Sequence, residues 1–146
     1  MTEIFDWQEF LRFAQKIYAE VEHLRELDDS DESLCRIGIS RAYYAAFHVA
    51  RNYLLELDPN FSSGLGEGSH QAIIKAFTRF DDKYRRQIGN KLAFLKDMRV
   101  RADYNERRYR RRGEMGNAVL ELKMATNYAE KILAIIKRCR QDSKEG

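Results

Sequence analysis

A single proline, Pro59, interrupts 146 residues, and six of the eight glycines fall between positions 64 and 116. Proline ends helices and glycine loosens them, so long stretches of this chain carry little that would break an α-helix. Apolar residues in those stretches recur at three- and four-residue spacing, the period of one helix face. Ile4, Phe5, Trp7, Phe10, Leu11, Ala14, Ile17, Tyr18, Val21 and Leu24 form the first stripe, predicted to start after Thr2 as N-cap. "LDDSDES" breaks the pattern and offers Asp29 or Ser30 as a second cap. Leu34 to Leu57 then reads as one continuous helix ending before Pro59. "NFSSGLGEGS" is predicted as a loop, with Ser69 capping a shorter helix through Phe80. "DDKYRRQIGNKLAFLKDMRV" supplies a fourth helix, interrupted or started near Gly89. The last helix has Val119, Leu120, Leu122, Ala125, Ala129, Ile132, Leu133 and Ile136 as its apolar face. The expectation is an all-α, up-and-down bundle of four long helices and a short one, forming one domain over 1–142 with a disordered tail at 143–146.

Twenty-six Lys and Arg against 23 Asp and Glu leave a net charge of only +3, too little to name a partner. The distribution is more telling. Between positions 99 and 112 seven arginines stand against Asp103 and Glu106, and a concentrated patch of this kind attracts phosphate where a dispersed charge does not. Cys35 and Cys139 lie far apart with no second ligand near either, which signals neither zinc nor a redox pair, and both read as small buried hydrophobes. No cofactor is signalled. The start of the chain has no apolar signal core and no run approaches a membrane span, so a cytoplasmic protein without membrane contact is expected.

"SRAYYAAFHVARNYL" in the second helix and "LKDMRVRADYNE" at the end of the fourth, in this order, resemble the HEPN superfamily. The likeness is to its small prokaryotic branch with an SRxYYAxF helix and a later RxxADY motif, and "GSHQAIIKAF" is similar to the segment opening that branch's third helix. The resemblance implies a four-to-five-helix bundle that forms a homodimer through its central helices. It also implies a superfamily in which many members are metal-independent RNA endonucleases, often toxins paired with a small nucleotidyltransferase partner. Active members carry an Arg, four to six residues, then a His. Here Arg99 is followed by Asp103 where the histidine is expected. Cleaving RNA without metal calls for a group that exchanges protons near neutral pH, which suits His, whereas an Asp beside Arg99 and Arg101 is expected to stay a carboxylate.

His48 offers a substitute histidine, since Arg41 and His48 satisfy the Arg-to-His count within helix two. Seven helical residues separate them by about 10 Å along the axis, with the arginine leaning away, so they meet one phosphate only across a dimer. His70 brought across a dimer is the other substitute. Tyr43, Tyr44 and Phe47 at helical spacing read first as packing aromatics and second as base-stacking ones. Glu20 with His23 and Glu67 with His70 show the Glu-x-x-His spacing of di-iron bundles, but the second pair straddles a loop, and no metal site is expected.

The leading expectation is therefore RNA or nucleotide binding through Arg99, Arg101, Asp103 and Tyr104, with Arg41 and Tyr44 from helix two and Arg107, Arg108 and Arg110 from the basic loop. In this reading the arginines hold phosphate, Tyr104 stacks or hydrogen-bonds, and Asp103 fixes an arginine. A metal-independent ribonuclease using Arg99, Asp103 or His48 stands as one alternative. A protein-interaction module without an RNA role is the other.

Overall fold

The structure is a computed structural model, and it describes residues 3–61 and 67–145. Five helices follow in chain order: α1 (Gln8–Val21), α2 (Asp29–Leu57), α3 (Glu67–Thr78), α4 (Lys83–Tyr104) and α5 (Ala118–Glu145). The all-α bundle expected from the apolar spacing is the fold.

The helix ends follow from local chemistry. Asp28 caps α2, one residue before the expected cap, through a capping box: its carboxylate accepts the Asp31 N–H at 2.8 Å, and the Asp31 carboxylate accepts the Asp28 N–H at 3.1 Å. Asp82 caps α4, accepting from the Tyr84 and Arg85 N–H groups. Asn117 accepts the Leu120 N–H at 2.9 Å at the start of α5.

Three boundaries differ from the sequence expectation. Helix α1 starts at Gln8, so Ile4 and Phe5 precede it; Asp6 accepts the Gln8 N–H, while Phe5 packs its ring edge-on against Trp7 and Phe10. Thr2, the expected cap, lies outside the described residues, as do 62–66 of the predicted loop. Ser69 sits inside α3, which ends at Thr78 rather than Phe80. The expected disordered tail is helical through Glu145, and Ser143 donates its hydroxyl to the Cys139 carbonyl at 3.0 Å. Gly146 lies outside the described residues.

Helix α2 is the hub, packing against each of the other four helices, while α3 packs chiefly on α4. Most of its buried positions are small or aromatic: Gly38, Ala42, Ala45, Ala46 and Ala50 beside Tyr43, Phe47 and Tyr53, with Ile39 and Leu54 the aliphatic exceptions. Small residues let neighbouring helices approach closely, and the rings fill the space between them. Leu11, Ala14, Ile17 and Val21 of α1 and Val119, Leu122, Ala125, Ala129, Ile132 and Ile136 of α5 close the core on either side. Cys35 and Cys139 are both buried free thiols within it, and burial with Asp31 and Glu32 nearby pushes the Cys35 thiol up to about 12.

Helix α4 is unbroken at Gly89. A Cβ there would stand 2.7 Å from Thr78 Cγ2, 2.9 Å from the Thr78 nitrogen and 3.0 Å from the Ile74 carbonyl oxygen. The glycine thus marks close approach of α3 backbone rather than a helix end.

Candidate nucleic-acid interface

The chain from Asn105 to Asn117 carries the densest positive charge and links α4 to α5. Two arginine guanidinia fix its course by binding backbone carbonyls at helix C-termini, where orphan acceptors and the negative end of the dipole favour a cation. Arg36 of α2 donates from Nη1 to the carbonyls of Ala102 (3.1 Å) and Asn105 (2.8 Å), and more distantly of Arg101 (3.4 Å), and from Nη2 to that of Arg107 (2.8 Å). Arg112 donates to the carbonyls of Glu22 (2.8 Å) and Leu24 (3.2 Å) just past α1. Glu32 completes the anchorage, accepting the Tyr109 N–H at 2.8 Å and pairing with both Arg36 and Arg108. Arg36 also lies 5.0 Å over the centre of the half-buried Tyr109 ring. Burial, with Glu121 nearby, raises the Tyr109 hydroxyl to about 12. Gly113 and Gly116, with φ of 96° and 78°, turn the chain back into α5, and Arg110 forms an isolated bridge with Asn117.

With the backbone so held, the side chains of Arg107, Arg108, Arg110 and Arg111 face solvent. Arg108 pairs with Asp29 and Glu32. Arg107, Arg110 and Arg111 form no ion pair among the described residues.

At the end of α4 the expected motif residues part company. Arg99 is 1% exposed. Its guanidinium lies 5.4 to 5.9 Å from the ring centres of Tyr43, Tyr44 and Tyr104, and its Nη1 is 3.6 Å from Asp103. Asp103 pairs with an arginine as the sequence led us to expect, but the cation, Arg99, is a core group. Asp103 also accepts a hydrogen bond from Ser40 of α2 at 3.3 Å. Tyr104, the last residue of α4, is 68% exposed. Arg101 is exposed but pairs with Glu121 of α5 at 3.3 Å. Beside them a cleft of about 340 Å³ is lined by Arg36, Ile37, Ser40, Arg41, Ala102 and Asp103. Arg41 therefore shares a surface with Asp103, though its guanidinium rests 4.8 Å over the Phe10 ring.

The histidines separate in the same way. His48 stacks on Trp7 with ring centres 3.6 Å apart, and burial with Arg51 and His70 nearby lowers it to about 4. It points into the N-terminal aromatic cluster, and the lowered value favours the neutral ring at neutral pH. His70 stacks on Phe47 with ring centres 4.1 Å apart and places Nδ1 2.7 Å from the Tyr43 hydroxyl, within the aromatic cluster that borders Arg99. His23 lies beyond the end of α1, so Glu20 and His23 do not share a helix. Among the described residues no three His, Cys, Asp or Glu side chains converge on a metal position, and no helix is long and apolar enough to cross a membrane.

Arg36 and Arg112 anchor this region in a way that sequence reasoning missed. Arg112 belonged to the visible run; Arg36 had no signal, because it lies in no charge cluster of its own.

Helix hub, buried arginine and a carbonyl-anchored loop together define an α-helical bundle with one arginine-rich edge. The chain belongs to the HEPN family: the HEPN domain model matches residues 7–139. No curated protein and no solved structure matches the chain.

Proposed function

We propose that this HEPN chain binds RNA, or a nucleotide, along the edge formed by the end of α4 and the loop from Asn105 to Asn117. The observation that carries the reading is a separation of labour among the arginines. Arg36 and Arg112 bind carbonyls and hold the loop, while Arg107, Arg110 and Arg111 project outward without an ion pair among the described residues. A backbone ordered in advance lowers the entropy cost of presenting three guanidinia to phosphates. Exposed Tyr104 supplies a ring for a base, and Arg41 with Asp103 borders the adjoining cleft. Arg99 acts from behind, as the cation around which Tyr44, Tyr104 and Asp103 are arranged. In this reading the chain is a homodimer in the cytoplasm and works beside a small nucleotidyltransferase partner in a toxin–antitoxin-like pair.

The test is the salt dependence of RNA binding. Replacing Arg107, Arg110 and Arg111 together with Ala should reduce the slope of log K against log salt by roughly 2 for a single strand. An unchanged slope would remove the loop from the interface.

A second reading, a metal-independent ribonuclease, is favoured by His70, whose Nδ1 reaches the Tyr43 hydroxyl in the cluster bordering Arg99. Incubating wild type and His70→Ala with mixed RNAs in EDTA decides it: cleavage by the wild type that the variant lacks supports a nuclease, and absence of cleavage by the wild type sets that reading aside.

A further inference from the structure

On the side of the loop toward α1, a cleft of about 460 Å³ opens between the α1–α2 turn and residues 108–112. Five arginines line it: Arg25 from the turn and Arg108, Arg110, Arg111 and Arg112 from the loop. Two carboxylates, Glu26 and Glu32, line it as well, leaving three net positive charges. Glu32 is already satisfied by the Tyr109 N–H, Arg36 and Arg108, and Arg112 is committed to carbonyls. Arg25, Arg110 and Arg111 make no ion pair among the described residues, and they converge from two segments tied together by the Arg112 hydrogen bonds. Leu27, half-buried Tyr109 and Ala118 give the same cleft an apolar side.

We propose that this cleft is a site for a compact oligophosphate, the triphosphate group of a free nucleotide or of an RNA 5′ end. The proposal rests on the phosphate-binding reading of the loop and narrows it to a terminus. Charge convergence decides between the possibilities. A strand followed along its backbone presents one charge per phosphate and suits a spread-out row of cations rather than several gathered in one cleft. A triphosphate places several charges within one cleft, where guanidinium forks from opposite walls bind adjacent oxygens. The apolar side fits the sugar and base carried by that phosphate chain.

The experiment is calorimetric titration of the full chain with inorganic tripolyphosphate, then ATP, then one RNA sequence carrying a 5′-triphosphate or a 5′-hydroxyl. Wild type is compared with Arg25→Ala/Arg111→Ala. Lys123→Ala/Lys131→Ala, which removes the same charge from exposed positions on α5, is the control, and thermal melts confirm folding of each. Tripolyphosphate should bind the cleft variant about tenfold more weakly than wild type and the control unchanged. Preference for the 5′-triphosphate RNA over ATP, lost in the cleft variant, identifies an RNA end as the source; equal competition by ATP identifies a free nucleotide. Tripolyphosphate that fails to bind at about 1 mM, or binds the cleft variant as well as wild type, overturns the proposal. If 5′-hydroxyl RNA still binds in that case, the RNA reading survives without the cleft. If neither RNA binds while tripolyphosphate is held by Arg25 and Arg111, the RNA reading falls and the cleft remains a nucleotide site.

Discussion

The Arg36 guanidinium stands 5.0 Å over the Tyr109 ring while donating to the carbonyls of Asn105 and Arg107 at 2.8 Å each. One side chain of α2 thereby caps α4, supports the loop's aromatic residue and fixes the direction in which the neighbouring arginines leave the backbone. Arg36→Ala should destabilise the chain by about 1.5–3 kcal/mol, the range for charged hydrogen bonds. The more specific consequence is local. Limited trypsin digestion followed by mass spectrometry should show faster cleavage within residues 107–112, and unchanged cleavage would mean that Glu32 and Arg112 hold the loop without it.

Arg99 is placed to separate structural from binding effects. Truncating this fully buried side chain removes its packing and the partner of Asp103, so Arg99→Ala should cost about 2–4 kcal/mol in urea denaturation. Arg99→Met, which keeps most of the volume and leaves the part-exposed Asp103 to solvent, should cost less. RNA binding that Arg99→Met retains would mark the arginine as support for Tyr44 and Tyr104 rather than a phosphate contact.

His48 makes stability depend on pH with a definite sign. Its folded-state value is about 4, below the ordinary 6.5, so the unfolded chain takes up the proton first. Stability should be constant above about pH 6.5 and fall as pH drops toward 4. For a half-buried ring, where solvent screens part of the shift, a loss of about 1–2 kcal/mol is expected. Trp7, the one tryptophan in the chain, stacks on this ring, so its fluorescence reports the unfolding directly. His48→Phe should flatten that part of the pH profile.

Gly89→Ala sets helix propensity against packing. Propensity alone favours alanine by about 1 kcal/mol in a helix interior. The new Cβ meets the Thr78 nitrogen and Ile74 oxygen at 2.9 and 3.0 Å, and backbone atoms yield less readily than a side-chain tip. The clash should win, with a net loss of about 1–3 kcal/mol in thermal or urea unfolding.

Much of this fold was legible in the residues themselves. Apolar spacing marked every helix, and the paired motifs on α2 and α4 pointed to the HEPN family that the domain match bears out, whereas the caps fell on Asp28, Asp82 and Asn117 rather than on the expected Asp29 or Ser30 and Ser69. Where the reading failed, either a nonlocal contact or a weak local signal was responsible. Gly89 resembled a break because its neighbour Thr78 belongs to another helix. Residues 143–145 resembled a tail because the polar last turn of α5 has little apolar spacing to mark it, yet it continues the helix.

For the candidate site the division is sharper. The sequence by itself determined that positive charge accumulates between Arg99 and Arg112, since composition and order need no folding to be counted. Only the tertiary structure decided what each charge does. Arg99 points into the core, Arg101 meets Glu121, Arg112 caps α1, and Arg36, more than sixty residues upstream, caps α4. A guanidinium goes where unsatisfied acceptors are, and those acceptors are helix ends and carboxylates brought near by packing. Which arginines remain to face a phosphate is therefore settled by the assembled bundle.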